Sequence, residues 1–178
     1  MGHRMSVDID LFTDAEYGTV DLNNIDNWLR GKFAYVDTSN PGNMGMGLSY
    51  YVGHQKEDLL KLDLYYTDPF IRPALVKDEI RMADVADIIA MKLDIMGRGG
   101  RQKDFWDLHA AHDHFTIGEM LAFYVERYPY GYSRDEIVEG LNRFEVADDD
   151  PTPVCLQGKH WELIKYDFFQ WVKRYALE

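Results

Sequence analysis

The hydrophobic pattern of this chain changes from mostly strand-like to helical near residue 84, and that change limits its fold more than any other feature. Before residue 84, apolar residues mostly alternate with polar ones over short stretches, as they do in β-strands. After it, apolar residues recur every three or four positions, as they do in helices packed on a core. An early helix is predicted over residues 21–31, ending at Gly31. Strands followed by a helical half, rather than regular alternation, predict an α+β fold.

The predicted elements follow from this pattern and from turn and cap residues. Strands are expected at residues 7–12, 33–38, 47–52 and 59–66, with a short one near 80–83 and a turn at 39–43. Strands two to four should form an antiparallel meander. Helices are expected after Asp84, over 102–112, over 117–127 after Thr116, over 134–144 after Ser133, and from near His160 onward. We expect one domain over residues 1–178, with a sheet portion (1–83) and a helical portion (84–178).

The first strand carries two aspartates on one face. Val7, Ile9 and Leu11 alternate with polar residues, so Asp8 and Asp10 point to the same side and lie about 7 Å apart. One interpretation is an edge strand that uses acids against aggregation. The other is a Mg²⁺ platform, because carboxylates leave open coordination positions for phosphates. The strand pattern alone does not separate them.

A third aspartate lies in the fourth strand, within Leu62-Asp63-Leu64. A carboxylate among apolar neighbours is usually exposed or salt-bridged, since burying it unpaired is costly. If this strand lies beside the first, Asp63 adds a third acid to the same site. Three carboxylates from two strands could hold two Mg²⁺ ions, one activating a nucleophile and one stabilising a leaving phosphate.

Charged residues are also concentrated between positions 87 and 107. One interpretation is a solvated helix face, on which Lys103 and Asp107 are i,i+4 neighbours. The other is a triphosphate site, in which Lys92 and Arg98 bind anionic oxygens. Gly99 and Gly100 would then allow the backbone to approach a ligand closely.

The net charge of −12 argues against non-specific electrostatic binding of long nucleic-acid duplexes. A nucleic-acid role would need a local basic patch, for which residues 92–103 are the candidate. The one cysteine, Cys155, excludes an internal disulfide framework and makes a cytoplasmic protein the default expectation. No apolar run approaches 18 residues, so no transmembrane helix and no membrane partner are expected.

Taken together, these motifs resemble the AbiEii/AbiGii-type nucleotidyltransferase toxins, within the polymerase-β-like superfamily. The resemblance rests on GHRMSVDIDLF at residues 2–12 and Leu62-Asp63-Leu64, then on DVADIIAMKL at 84–93, Arg98, and KDFWDL at 103–108. Each motif is weak alone, but their order over residues 2–108 is specific. It implies a small mixed or antiparallel nucleotidyltransferase-type sheet followed by helices.

The resemblance also implies residue roles. Asp8, Asp10 and Asp63 would bind Mg²⁺, and Ser6 would be a phosphate or metal neighbour. Lys92 would contact the nucleotide phosphates. Four residues would complete the last motif of the family, in which it is open whether either acid is a base: Arg98, Lys103, Asp104 and Asp107.

The implied reaction transfers a nucleoside monophosphate from an NTP to an RNA (for some members, tRNA) or protein acceptor, in toxin–antitoxin or phage-defence systems. An antitoxin partner is therefore expected. The family's upstream helix and Gly-Gly-Thr or Gly-Ser turn are expected to be absent here, because the chain begins at Met1-Gly2-His3. A bared sheet surface could then be covered by homodimerisation. Two alternatives are a degenerate, non-catalytic relative that binds a protein partner, and a metal-dependent phosphohydrolase.

Overall fold

The computed structural model of the protein describes residues 2–38 and 46–177. The turn predicted at residues 39–43 lies outside the described residues. Backbone contacts group the chain into two compact units. We call Ser6–Pro69 the strand unit, and Met1–Met5 with Phe70–Glu178 the helical unit. The organisation of the chain as one domain stays a prediction.

The strand unit is built on a four-stranded sheet in the order β1-β4-β3-β2. Its strands are β1 (Asp8–Thr13), β2 (Tyr35–Thr38), β3 (Gly47–Gly53) and β4 (Leu60–Tyr66). The predicted antiparallel meander of β2, β3 and β4 is confirmed. β1 runs parallel to β4, which the intervening helix and strands make possible.

Helix α1 (Leu22–Lys32) covers one face of this sheet. Its N-terminus is capped by Asp21, whose side chain accepts a hydrogen bond from the Asn24 backbone N–H. A small core forms where Leu22 and Leu29 pack among the sheet residues Leu48, Tyr50 and Val52. The predicted apolar face of the first strand is not buried in this core, since Val7, Ile9 and Leu11 remain exposed.

The helical unit holds a hairpin and the second, larger core. Its elements are β5 (Leu75–Lys77), β6 (Ile80–Met82), α2 (Val85–Gly97), α3 (Gln102–Ala111), α4 (Ile117–Arg127), α5 (Arg134–Gly140), α6 (Glu145–Asp148) and α7 (Trp161–Tyr175). The helices predicted after Asp84, Thr116 and Ser133 are confirmed with their caps. The helix predicted over 134–144 is shorter than expected, because α5 ends at Gly140 and the separate short helix α6 follows. None of the described helices combines the length and apolar character needed to cross a membrane.

The core of the helical unit is aromatic and is closed by α7. Phe168 is fully buried and packs edge-on against Phe105 of α3, while Trp171 stacks on His112. Phe168 belongs to this core, and the partly buried Trp171 and Tyr175 pack against it. The buried residues of α7 lie on one side of the helix, as its apolar spacing predicts.

A fully buried ion pair joins α2 to α4. Asp87 accepts a hydrogen bond of 2.7 Å from Arg127 Nη1, and neither side chain is exposed. The same carboxylate accepts backbone N–H bonds from Ile71 and Arg72, which fixes the segment before the β5–β6 hairpin. Because both side chains are buried, removing either one would leave the other charged, unpaired and shielded from water, which is costly in free energy.

Candidate active site

The acidic face of the strand unit lies on the sheet side opposite α1. In the parallel ladder, Asp10 is the direct partner of Asp63, and Asp8 is the partner of Lys61. Neighbouring strands lie about 4.8 Å apart, so the Asp10 and Asp63 side chains emerge side by side. The expectation that the first and fourth strands bring these acids onto one face is met by this register.

Two polar contacts organise this acidic face. Ser6 Oγ donates a hydrogen bond of 2.8 Å to Asp8 Oδ1. Lys61 Nζ donates to Oδ2 of the buried Asp63, and this bond is the main reason that the pKa of Lys61 is raised. The other oxygen, Asp63 Oδ1, is buried and has no hydrogen-bond partner among the described residues. A carboxylate oxygen in that state is an available ligand atom.

The fit of these acids to Mg²⁺ depends on how many ligands the chain must supply. In the part of the chain that the structure describes, no group of three or more His, Cys, Asp or Glu side chains is arranged to hold a metal ion. Mg²⁺ is often bound by only one or two carboxylates, with water and substrate phosphates completing its octahedron. The adjacent Asp10 and Asp63, with the unpartnered Oδ1, fit a site of that kind.

The second group of predicted site residues lies in the helical unit, where α2 and α3 meet at a tight turn. Gly99 and Gly100 both adopt positive φ, and the Gly100 N–H closes the end of α2 by bonding to the Ile95 carbonyl. A Cβ on Gly100 would lie 2.8 Å from the Met96 side chain. These glycines therefore terminate α2 and turn the chain so that α3 packs beside it.

Lys92 of α2 lies between two buried aspartates of α3. Its ammonium group bonds to Asp104 and lies 2.8 Å from Asp107 Oδ2. Asp104 and Asp107 share a helix face because they are three residues apart. Asp104 also accepts from the Arg101 backbone N–H and from Arg101 Nε, which joins the start of α3 to this cluster. The structure thus brings three of the predicted site residues into contact: Lys92, Asp104 and Asp107.

The N-terminal segment completes the cluster. Arg4 forms a bidentate ion pair with Asp107, in which Nε lies 2.6 Å from Oδ1 and Nη2 lies 2.8 Å from Oδ2. His3 Nε2 lies 2.8 Å from the same Oδ1. The segment is held by antiparallel backbone bonds from Met5 to Val154 and from Leu156 to His3. We call His3, Arg4, Lys92, Arg101, Asp104 and Asp107 the Lys92 cluster.

Electrostatics in the Lys92 cluster favour the ionised forms of Asp107 and Lys92. Burial would raise the pKa of Asp107, but hydrogen bonds from His3 and Arg4 and the Lys92 charge hold it far below its ordinary value. Burial would lower the pKa of Lys92, but the Asp107 and Asp104 charges raise it above its ordinary value. Lys92 is therefore a fixed cation at neutral pH.

Other predicted phosphate ligands are placed differently. Arg98 is mostly exposed and pairs with Asp94 one turn earlier on α2. Lys103 is half-buried on α3. His3, Arg4 and Arg101 were given no site role, although they touch the acids at the centre of this group. His3 and Arg4 lie in the first family motif, and Arg101 lies in the basic patch of residues 92–103, so both patterns carried a signal.

The Asp107 network predicts a pH-dependent loss of stability. Because the folded-state pKa of Asp107 lies below its unfolded value of about 3.8, its ionised contacts stabilise the fold above pH 4 and are lost as pH falls further. We expect Asp107→Asn to lower the free energy of unfolding by about 2 kcal/mol at pH 7. Urea denaturation should show this deficit shrinking below about pH 4.

Asp149→Asn is the matched control for Asp107→Asn, because Asp149 is exposed. It should leave the free energy of unfolding within about 0.5 kcal/mol of the wild-type value at neutral pH. A deficit for Asp107→Asn that is constant from pH 7 to pH 3 would contradict the assigned ionisation.

Structural comparison identifies the class of fold. MenT4, a nucleotidyltransferase toxin from Mycobacterium tuberculosis H37Rv, aligns with a TM-score of 0.61 at 15% identity, covering 96% of this chain and 69% of MenT4. JHP933 from Helicobacter pylori aligns with a TM-score of 0.51 at 16% identity, covering 96% of this chain and 75% of JHP933. The chain therefore has a nucleotidyltransferase-type fold. None of the curated proteins matches the sequence significantly.

Comparison with family models identifies a narrower group than the fold does. The family model described as "Nucleotidyl transferase AbiEii toxin, Type IV TA system" matches residues 1–163. The chain belongs to this family, as the sequence resemblance predicted. Membership in a toxin–antitoxin family implies an antitoxin as the partner of this chain.

Proposed function

We propose that this protein is a Mg²⁺-dependent nucleotidyltransferase that moves a nucleoside monophosphate from an NTP to an acceptor hydroxyl on an RNA, such as a tRNA, or on a protein. The observation that carries the proposal is the pairing of Asp10 with Asp63 across β1 and β4, which presents two carboxylates on the side of the sheet away from α1. Membership in the AbiEii family supports the type of reaction.

In this proposal, Asp10 and Asp63 would hold Mg²⁺ together with water and substrate phosphates. Asp8, which Ser6 orients through its hydrogen bond, would be the third acidic residue on this face. Bound Mg²⁺ supplies neutralisation of the charge that develops on the phosphate oxygens. The buried Asp63 Oδ1 would offer one ligand atom, because it has no hydrogen-bond partner among the described residues. The other oxygen, Oδ2, accepts a hydrogen bond from Lys61.

Lys92 is proposed as the ligand of the nucleotide phosphates, as its place in the family motif implies. The Lys92 ammonium group has three N–H donors, and it contacts two carboxylates, those of Asp104 and Asp107. The third N–H can donate a hydrogen bond to a phosphate oxygen. Arg98, the residue that follows α2, and Lys103 of α3 add two more cations. Asp107 acts as a positioning residue, because a carboxylate with a depressed pKa is a weak proton acceptor. Asp104 acts as a positioning residue through its ion pair with Lys92.

The overall step balances without a redox partner. The acceptor oxygen forms a bond to the α-phosphorus, and the bond from the α-phosphorus to the bridging oxygen of pyrophosphate breaks with its electron pair. The hydroxyl proton leaves to solvent or to a base. We also infer that the reaction takes place in the cytoplasm, where NTPs and RNA are available and where the single Cys155 needs no disulfide partner.

Nucleotide binding tests the role of Lys92. We expect isothermal titration of the protein with an NTP and Mg²⁺ to show binding, and Lys92→Met to raise Kd about 10- to 100-fold, because one charge-assisted hydrogen bond is worth about 1.5–3 kcal/mol. Thermal denaturation of Lys92→Met should be measured in parallel to show that the variant is folded.

Lys56→Met is the control for lost positive charge, since Lys56 is exposed in the strand unit. It should bind NTP with the wild-type Kd. Equal Kd values for wild type and a folded Lys92→Met, or no NTP binding by the wild type with Mg²⁺, would refute the assigned role.

A non-catalytic protein that binds a partner is the second candidate function. The ion pair between Lys61 and Asp63 favours this second function. In a site that has lost its metal, a lysine could neutralise the carboxylate in place of the ion. In that case a protein partner should bind equally well to wild type and to Asp8→Ala, and no nucleotide should be consumed.

A further inference from the structure

Helix α7 has a second apolar face, on the side away from the core. Its buried side carries Ile164, Phe168 and Val172. On the opposite side, Tyr166 and Phe169 remain 59% and 53% exposed. Large apolar side chains at helical spacing on an outer face are typical of an interaction surface.

This outer face also carries charge at both ends. Glu162 and Leu163 begin it, Tyr166 and Phe169 form its centre, and Lys173 ends it. All five residues lie within about 60° of one line along the helix, at 100° per residue. We call these five residues the α7 outer stripe. Leu163 is 50% exposed, so the apolar part of the stripe spans about two turns.

The α7 outer stripe is complementary to itself in an antiparallel arrangement. Glu162 and Lys173 are equally distant from a midpoint between residues 167 and 168, and so are Tyr166 and Phe169. A two-fold axis through that midpoint therefore places each Glu162 near Lys173 of the other copy. It places each Tyr166 ring near the other Phe169 ring, an arrangement in which aromatic pairs stabilise contacts.

Other self-pairings are less favourable. A parallel arrangement of two α7 helices would bring like charges together at both ends of the stripe. Antiparallel pairing of two β1 edges about Ile9 would bring each Asp8 against Asp10 of the other copy, which adds repulsion to an already acidic chain. The Glu162–Lys165 contact within α7 does not block the stripe, because Glu162 is 83% exposed and its carboxylate can accept more than one cation.

We propose that the α7 outer stripe is the interface of a homodimer in which two α7 helices pack antiparallel about a two-fold axis. The dimer is independent of the proposed nucleotidyl transfer, because none of the stripe residues belongs to the acidic face of the strand unit or to the Lys92 cluster. A foreign helix bound to the same stripe is the alternative occupant.

Charge exchange tests this arrangement directly by sedimentation velocity of the full chain over a range of concentrations. The wild type should show a monomer–dimer equilibrium. Glu162→Lys and Lys173→Glu alone should each raise the dimer Kd about tenfold, since each creates two like-charge contacts per dimer. The double variant E162K/K173E should return Kd to within about threefold of wild type, because the pairs are restored with exchanged signs.

Phe169→Ser tests the aromatic centre and should raise the dimer Kd on the order of 30-fold. Glu145→Lys, an exposed charge reversal on α6, is the control and should leave Kd unchanged. Circular dichroism should show every variant folded, since all the changed side chains are exposed. A protein that is monomeric at every concentration, a dimer insensitive to Phe169→Ser, or a double variant as weak as the single ones would overturn the proposal.

Discussion

Asp10→Asn is expected to reduce the rate of pyrophosphate release from NTP about a thousandfold while leaving the fold intact. The substitution removes the charge of one of the two paired carboxylates but preserves its size. Loss of a metal-binding charge removes several kcal/mol of transition-state stabilisation, and each 1.4 kcal/mol corresponds to tenfold in rate. A coupled pyrophosphate assay with saturating Mg²⁺ gives the rate directly.

The exposure of Asp10 makes this variant informative, because its substitution should not change the urea midpoint of unfolding measurably. Asp37→Asn on β2 is the matched control, since Asp37 is exposed in the same sheet. It should retain the wild-type rate. An active Asp10→Asn variant would show that the acidic face of the strand unit does not carry the reaction.

Asp87→Ala is expected to lower the free energy of unfolding by about 3–5 kcal/mol, a large part of the 5–15 kcal/mol typical of a folded domain. The substitution leaves the Arg127 guanidinium buried without its carboxylate and strips two backbone N–H groups of their acceptor. Thermal or urea denaturation should show the loss at neutral pH.

Two further variants separate this effect from a general loss of charge. Glu139→Ala breaks an exposed i,i+4 pair with Arg143 and should cost no more than about 0.5 kcal/mol. Asp87→Leu combined with Arg127→Met should be more stable than Asp87→Ala, because no uncompensated charge then remains buried. A loss below about 1 kcal/mol for Asp87→Ala would contradict the assigned pair.

Much of the fold could be predicted because local signals agree with the final packing. Alternation in β1 and β4 and the caps Asp84, Thr116 and Ser133 each depend on residues within one turn or one strand. β5 was not predicted, because the hairpin turns at Asp78 and Glu79, which adopt positive φ without the usual glycine or asparagine. Helix α6 is only four residues long and leaves little periodic signal.

The candidate site was predictable where its residues share an element or a ladder. Asp8 and Asp10 alternate on one strand, and Asp104 and Asp107 share one helix face. Lys92, which was named as a site residue together with these α3 acids, contacts both of them. The roles assigned to these residues in metal and phosphate binding stay predictions.

Contacts between distant parts of the chain could not be derived from spacing. His3 and Arg4 reach Asp107 across more than a hundred residues, through a strand pairing with residues 154–156 that has no local signature. The buried partner of Asp87, Arg127, is likewise forty residues away. Such contacts depend on how helices and strands pack, which the pattern of one sequence does not specify.

Transfer of labelled phosphate tests the central claim most directly. The protein should be incubated with Mg²⁺, total cellular RNA and protein, and either α-labelled or γ-labelled NTP. We predict that the α-label becomes covalently attached to an acceptor and that the γ-label leaves as pyrophosphate. Release of the γ-label as inorganic phosphate without attachment of the α-label, or no turnover of any NTP, would contradict nucleotidyl transfer.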